Sequence, residues 1–156
     1  MFNAIIEISK NSNMKYEFDK DNNCLMLDRV LPNSNYFPYN YGFIPNTLAP
    51  DNDPIDIILL SSHKIIPGCS VKIDIIGGIE THDENGRDDK IICKLTDKCD
   101  QEYSHINDIG DIPENHIKKI IYFLKHYKDN DEDKFIEIKS NYNKETALAF
   151  IKEYSN

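Results

Sequence analysis

The stretch Asp51-Asn52-Asp53-Pro54-Ile55-Asp56-Ile57-Ile58-Leu59-Leu60 joins an acidic turn directly to a run of apolar residues. Ile57–Leu60 is apolar on both alternating faces, the pattern of a strand covered on both sides and central in its sheet. Asp56 opens that strand and, by period two, shares a face with Ile58 and Leu60. Pro54 biases Asp53 toward an extended conformation and can form the corner of a turn. Carboxylates gathered at the mouth of a buried strand are costly unless cations or donors compensate them. A solvated turn is the plainer reading of the same residues. A calcium loop does not fit: counted from Asp51, the sixth and twelfth positions are Asp56 and Ser62, where an EF-hand needs glycine and glutamate.

Outward from this stretch the chain reads as short strands, over roughly 2–8, 14–19, 24–30, 55–60, 71–80, 90–95 and 134–140. Asp21-Asn22-Asn23, Pro67-Gly68 and Asn85-Gly86 mark turns between them. Two helices are predicted. Around 113–127, Ile117, Ile120, Ile121 and Leu124 fall at helical spacing behind Pro113 in the first turn. Around 144–155, Asn143 can cap a stripe of Ala147, Leu148, Ile151 and Tyr154. Many strands and few helices argue for an α+β fold centred on a small antiparallel barrel or curled sheet, as one domain over 1–156.

A second acidic cluster is Asp83-Glu84-Asn85-Gly86-Arg87-Asp88-Asp89-Lys90. A type I′ turn with Asn85-Gly86 at its tip would set Glu84 opposite Arg87 and Asp83 opposite Asp88, a repulsive pair, with Lys90 on the same face. Alone it reads equally as a solubilising hairpin. The run Asp129–Asp133 imitates a calcium loop but places Lys134 and Ser140 where glycine and glutamate belong, and reads as a solvated charge run.

Only two of the 18 Lys and Arg residues are arginine, Arg29 and Arg87. A chain so biased to lysine is expected to keep arginine where a planar, bidentate donor is needed. Arg29 alternates with Leu25 and Leu27 and is expected on their face, as a phosphate ligand or half of a structural ion pair. Lys15 and Glu17 share the face of their strand opposite Met14, Tyr16 and Phe18. Tyr127-Lys128 ends the first helix, where positive charge is favourable.

Composition narrows the function classes. With 27 acidic residues and a net charge of −9, the chain lacks the basic surface of a nucleic-acid binder. If it handles an anion, it must recruit cations. The five histidines form no HxH or HExxH, so a zinc hydrolase has no support. The four cysteines show no CxxC spacing and read as reduced, mostly structural thiols of a cytoplasmic protein. No stretch reaches the ~20 apolar residues of a membrane helix, and Met1–Ile8 lacks the marks of a signal peptide.

Taken together, these segments resemble the soluble family I inorganic pyrophosphatases of bacterial type. The signature D-x-D-P-x-D reads as Asp51–Asp56. In order along the chain stand Ile6-Glu7-Ile8, Lys15-Tyr16-Glu17, Asp28-Arg29, Pro38-Tyr39-Asn40-Tyr41-Gly42, Asp83-Glu84 with Asp88-Asp89-Lys90, and His126-Tyr127-Lys128. The resemblance implies a small five-stranded OB-like antiparallel β-barrel with flanking helices, assembled as a homo-hexamer. It implies Mg²⁺-dependent hydrolysis of pyrophosphate to two phosphates by a metal-activated water, with several Mg²⁺ ions per site. Asp51, Asp56 and Asp88 would hold one ion, Asp56 reaching a second. Asp83 and Asp88 would hold another, with Glu7 close by. Lys15, Arg29, Tyr41, Lys90, Tyr127 and Lys128 would bind phosphate, Asp53 would accept the proton of the attacking water, and Glu17 and Glu84 would be supporting lining. Hard oxygen donors agree with magnesium.

Two departures from the family stand out. Phe37 replaces a tyrosine, and the chain starts almost on its first strand, which bears on subunit contacts. The rivals are an OB-type module for single-stranded nucleic acid, which would need a basic groove with exposed aromatics, and a catalytically inactive relative, which would need a missing primary residue.

Overall fold

The computed structural model describes residues 1–32 and 34–156. Strand β5 (Asp56–Leu60) lies between β4 (Asn40–Phe43) and β8 (Lys90–Leu95), as its two apolar faces require. Ile58 and Leu60 enter one core cluster with Ile92, Ile120, Phe123 and Tyr127; Ile57 and Leu59 enter a second with Ile6, Ile75, Ile91 and Phe150. β1 (Phe2–Ile8) pairs with β4 through one half and with β6 (Ser70–Asp83) through the other, and β6 returns to β8. The order β1-β4-β5-β8-β6-β1 is thus a closed ring, which leaves none of these strands with an open edge along its paired length. This is the OB-like α+β arrangement expected, with one difference: β5 and β8 run parallel, Asp56 facing Lys90.

The far half of β6 extends beyond the ring to pair with β7 (Gly86–Arg87) and β9 (Ile136–Asn143). β2 (Met14–Asp19) and β3 (Cys24–Val30) form a separate hairpin. Each core cluster has its own helix. α1 (Glu114–His126) buries Ile120, Phe123 and Leu124 in the first, with Pro113 at its N-cap rather than inside its first turn. α2 (Lys144–Glu153) buries Ala147, Phe150 and Ile151 in the second, and the Asn143 side chain accepts from the Thr146 N–H at 2.9 Å, as the capping signal predicts.

Several local expectations change. β4 escaped the sequence reading because it is only four residues long and Gly42 interrupts it; only pairing to β1 and β5 makes it a strand. At the acidic hairpin Asp83 faces Gly86 and His82 faces Arg87, so Glu84-Asn85 form the tip and Asp83 does not oppose Asp88. A type I′ turn needs positive φ at both central residues, but only Gly86, one place later, adopts it here (φ 108°). The Asp83 carboxylate fixes this turn by accepting from the Asn85 N–H at 2.8 Å. In the β2–β3 hairpin, Lys15 pairs with Arg29 but Tyr16 with Leu27, so Asp28 is an extra residue. That bulge separates Arg29 from the face of Leu25 and Leu27, and Leu27 is 48% exposed rather than interior.

Candidate active site

A cleft of about 540 Å³ opens where the ring, the β2–β3 hairpin and the C-terminal end of α1 meet. Every site residue nominated from the sequence lines it: Glu7, Lys15, Glu17, Arg29, Tyr41, Asp51, Asp53, Asp56, Asp83, Glu84, Asp88, Lys90, Tyr127 and Lys128. The fold explains the convergence. Asp56 and Lys90 start adjacent parallel strands, and Asp83 and Asp88 flank the hairpin at the end of β6. Glu7 is the extra residue of a bulge against β4, between Ile6 facing Gly42 and Ile8 facing Tyr41, and the bulge turns its carboxylate to the cleft.

Lys90 is the centre of the electrostatics. It is 1% exposed, and its ammonium donates to Asp56 at 2.7 Å and Asp88 at 2.8 Å. Burial alone would lower its pKa, but Asp56, Tyr41 and Asp88 carry it well above the ordinary value. One ammonium does not satisfy this many acids. Burial, then the charge of Asp88, pushes Asp51 up to about 7. Burial raises Asp56 to about 6 against the pull of Lys90. Burial raises Glu7 to about 7 although its carboxylate accepts from the Phe18 N–H at 2.8 Å. Asp53, at the open edge, is raised by what burial it has and by Asp88. Asp88 goes the other way: burial lifts it, but Lys90 and hydrogen bonds from Asp51 and Asp56 hold it below the ordinary value. The site is short of positive charge.

The remaining bases are also paired with acids. Lys15 donates to Glu17 at 2.6 Å and Asp28 at 3.0 Å, and Lys128 donates to Asp83 at 3.1 Å and lies 3.7 Å from Glu84. Arg29 pairs with Asp131, so the 129–133 run is more than solvated charge, while its Nε is buried without a hydrogen-bond partner among the described residues. Tyr127 stacks on Phe123, centroids 5.1 Å apart, and Phe37 packs 4.5 Å from Phe123 and 5.3 Å from Tyr41. At Phe37, then, a ring without a hydroxyl fills an apolar stack.

Sequence reading missed Lys20, Asp19, Asp21, Asn85 and Lys134 at the cleft wall. Asp19 ends β2 on the face of Lys15 and Glu17, where alternation could have found it; the other four sit in turns and loops, where no periodicity points to a direction. Arg87 and Asp89, within the acidic cluster, face away from the cleft and pair with each other. The cleft's carboxylate oxygens, with no histidine or thiol among its lining, are donors for a hard cation such as magnesium or calcium. The Lys90 ammonium between Asp56 and Asp88 shows where positive charge is accepted. Elsewhere His63, Asp100 and Glu102 bring ligand atoms within 4.8 Å of one another on the surface. Among the described residues no helix is long and apolar enough to cross a membrane.

The family described as Inorganic pyrophosphatase matches residues 4–156. An inorganic pyrophosphatase of Helicobacter pylori is 42% identical over 150 residues, 96% of this chain and 87% of the relative. One of Rickettsia typhi is 41% identical over 152 residues, 97% of this chain and 85% of the relative. The solved structure of the inorganic pyrophosphatase from Helicobacter pylori superposes with a TM-score of 0.95 at 41% identity, covering 97% of this chain and 89% of that one.

Proposed function

The chain belongs to the inorganic pyrophosphatase family, and from that premise we propose that residues 1–156 form one domain that hydrolyses pyrophosphate to two phosphates with several magnesium ions. The observation that carries this reading is the cation-poor cleft, where Asp51 and Asp56 are pushed up to about 7 and about 6 and a lysine ammonium bridges Asp56 and Asp88. The oxygen donor set fits magnesium. Asp51, Asp56 and Asp88 would hold one ion, Asp56 would reach a second, and Asp83 with Asp88 would hold another beside Glu7. When bound, the ions supply positive charge for the substrate's oxygens and lower the pKa of the attacking water.

The protein's own groups then have separate tasks. Asp53 accepts the proton of the attacking water, and its raised pKa makes it a better base than an ordinary aspartate. Lys15, Arg29, Tyr41, Lys90, Tyr127 and Lys128 bind the phosphates and stabilise charge moving to the leaving group. Once the carboxylates are otherwise neutralised, Lys90 is free to turn from them to substrate. The Arg29 Nε, 3.7 Å from the Asp28 carboxylate and without a hydrogen bond among the described residues, would donate to a phosphate oxygen. Glu17 and Glu84 restrain Lys15 and Lys128.

The test is phosphate release from pyrophosphate with and without magnesium, with ATP as the comparison. Turnover of pyrophosphate only with magnesium, and far above that of ATP, is expected. Full activity in excess chelator would overturn the metal assignment, and equal turnover of ATP would overturn the substrate.

The proposal extends to a cytoplasmic hexamer. Cys24, Cys69 and Cys99 are exposed free thiols, which suit a reducing compartment. The hexamer rests on the family resemblance; sedimentation at micromolar concentration should give it, and monomer alone would contradict it.

A further inference from the structure

Arg87 and Asp89 alternate with Asp88 and Lys90 along one segment. Asp88 and Lys90 face the cleft, whereas Asp89 points the other way with 0% of its side chain exposed. Its carboxylate accepts from Arg87 Nε at 3.1 Å and the Arg87 terminal nitrogen at 2.8 Å, and from the Tyr142 hydroxyl at 2.8 Å. These partners are themselves fixed. The Arg87 guanidinium lies 5.1 Å over the Phe150 ring of α2 and 3.8 Å from Glu80 of β6. The Tyr142 ring crosses β6 at Gly78, where a Cβ would stand 2.5 Å from its carbons. Residues of β6 and α2 therefore brace Arg87 and Tyr142, the two partners of one buried carboxylate whose chain neighbours both line the cleft.

An ion pair that buries one carboxylate against a half-exposed guanidinium is a weak stabiliser, because desolvation of the carboxylate consumes much of its attraction. What a planar fork and a hydroxyl do supply is direction. We infer that Arg87, Asp89 and Tyr142 form a positioning clamp that fixes the 88–90 backbone from behind, and thereby sets the Asp88 carboxylate and Lys90 ammonium for cation binding. The cation part rests on the function proposed above. The backbone part does not. Orientation by a partner outside the immediate ligand shell is a general way to tune a metal site.

Tyr142→Phe and Arg87→Lys are the informative variants, because both keep the net charge. Asp89→Asn would alter cation affinity through Coulomb attraction alone. Ile151→Val, a core change on the buried face of α2, serves as a stability control. Hydrogen exchange on the metal-free protein is read first. The Asp88 N–H donates to the Thr81 carbonyl at 2.8 Å, and its exchange, with that of Lys90, should accelerate about tenfold or more relative to β1 amides in both variants. In Ile151→Val any change should be uniform. Calorimetric magnesium titration without substrate should then show affinity weakened about tenfold by Tyr142→Phe and more by Arg87→Lys. Should Arg87→Lys not fold, Tyr142→Phe, which removes one hydroxyl, carries the test. Uniform exchange in the variants would overturn the clamp. Local exchange with unchanged magnesium affinity would overturn its link to the site. Magnesium failing to bind the wild type would instead overturn the metal reading, leaving the clamp to stand or fall on exchange.

Discussion

Asp53 and Asp56 belong to one turn but occupy different environments. Asp56 accepts from Lys90 at 2.7 Å and lies beside Asp88, while Asp53 sits at the open edge with its carboxylate raised but outside that bridge. This predicts a division of labour. Asp53→Asn keeps the shape and removes the base, so it should lower kcat by roughly 10²–10⁴ with magnesium affinity largely kept. Asp56→Asn should weaken magnesium binding and recover part of its activity when magnesium is raised. Magnesium titrations by calorimetry with turnover at saturating metal check both, and rescue of Asp53→Asn rather than Asp56→Asn would reverse the roles. These residues were legible in sequence because the turn that joins them is contiguous and the strand behind it is too apolar to tolerate idle carboxylates. Lys20 and Lys134 were not, because their place at the cleft depends on how loops from distant segments fold over it.

Among the elements, the 83–90 hairpin brings two proposed ligands into place, and its geometry depends on Gly86. At φ 108° a side chain is strained, so Gly86→Ala should cost on the order of 1 kcal/mol. Because Asp83 and Asp88 flank this turn, magnesium affinity should fall as well. Denaturant unfolding and magnesium calorimetry measure the two effects, and an unchanged variant would show that the turn tolerates another conformation. The turn was visible from Asn85-Gly86, but its register was not. Glu80, Thr81, His82 and Asp83 are polar in succession and carry no apolar alternation to fix pairing, so the register is held by Thr81 bonding to Asp88 and by Asp89 bonding to Tyr142, fifty-three positions away. The Asp28 bulge was hidden for a similar reason. Alternation assumes a regular ladder, and one extra residue reverses every face beyond it. The core strand and both helices needed no such information, since their periodicity states what they bury.

For the whole molecule, the acids are a liability without cations and a pH sensor because of it. Glu7 and Asp51 at about 7, and Asp56 at about 6, bind protons more tightly folded than unfolded. Their contribution to stability is full below about pH 4, where both states are protonated, and is lost as pH rises through about 6 to 7. Metal-free protein should lose stability from this cluster across that window, and the rise in Tm on adding magnesium should be larger near pH 8 than near pH 5. Thermal melts with and without magnesium decide this; a smaller rise at the higher pH would contradict it. The central claim, that these carboxylates are built to hold divalent cations, is tested most directly by titrating metal-free protein with magnesium in buffers of different ionisation enthalpy. Near pH 6 binding should release on the order of one proton per site, and near pH 8 almost none. Magnesium binding with no proton release near pH 6, or no binding at either pH, would contradict the account.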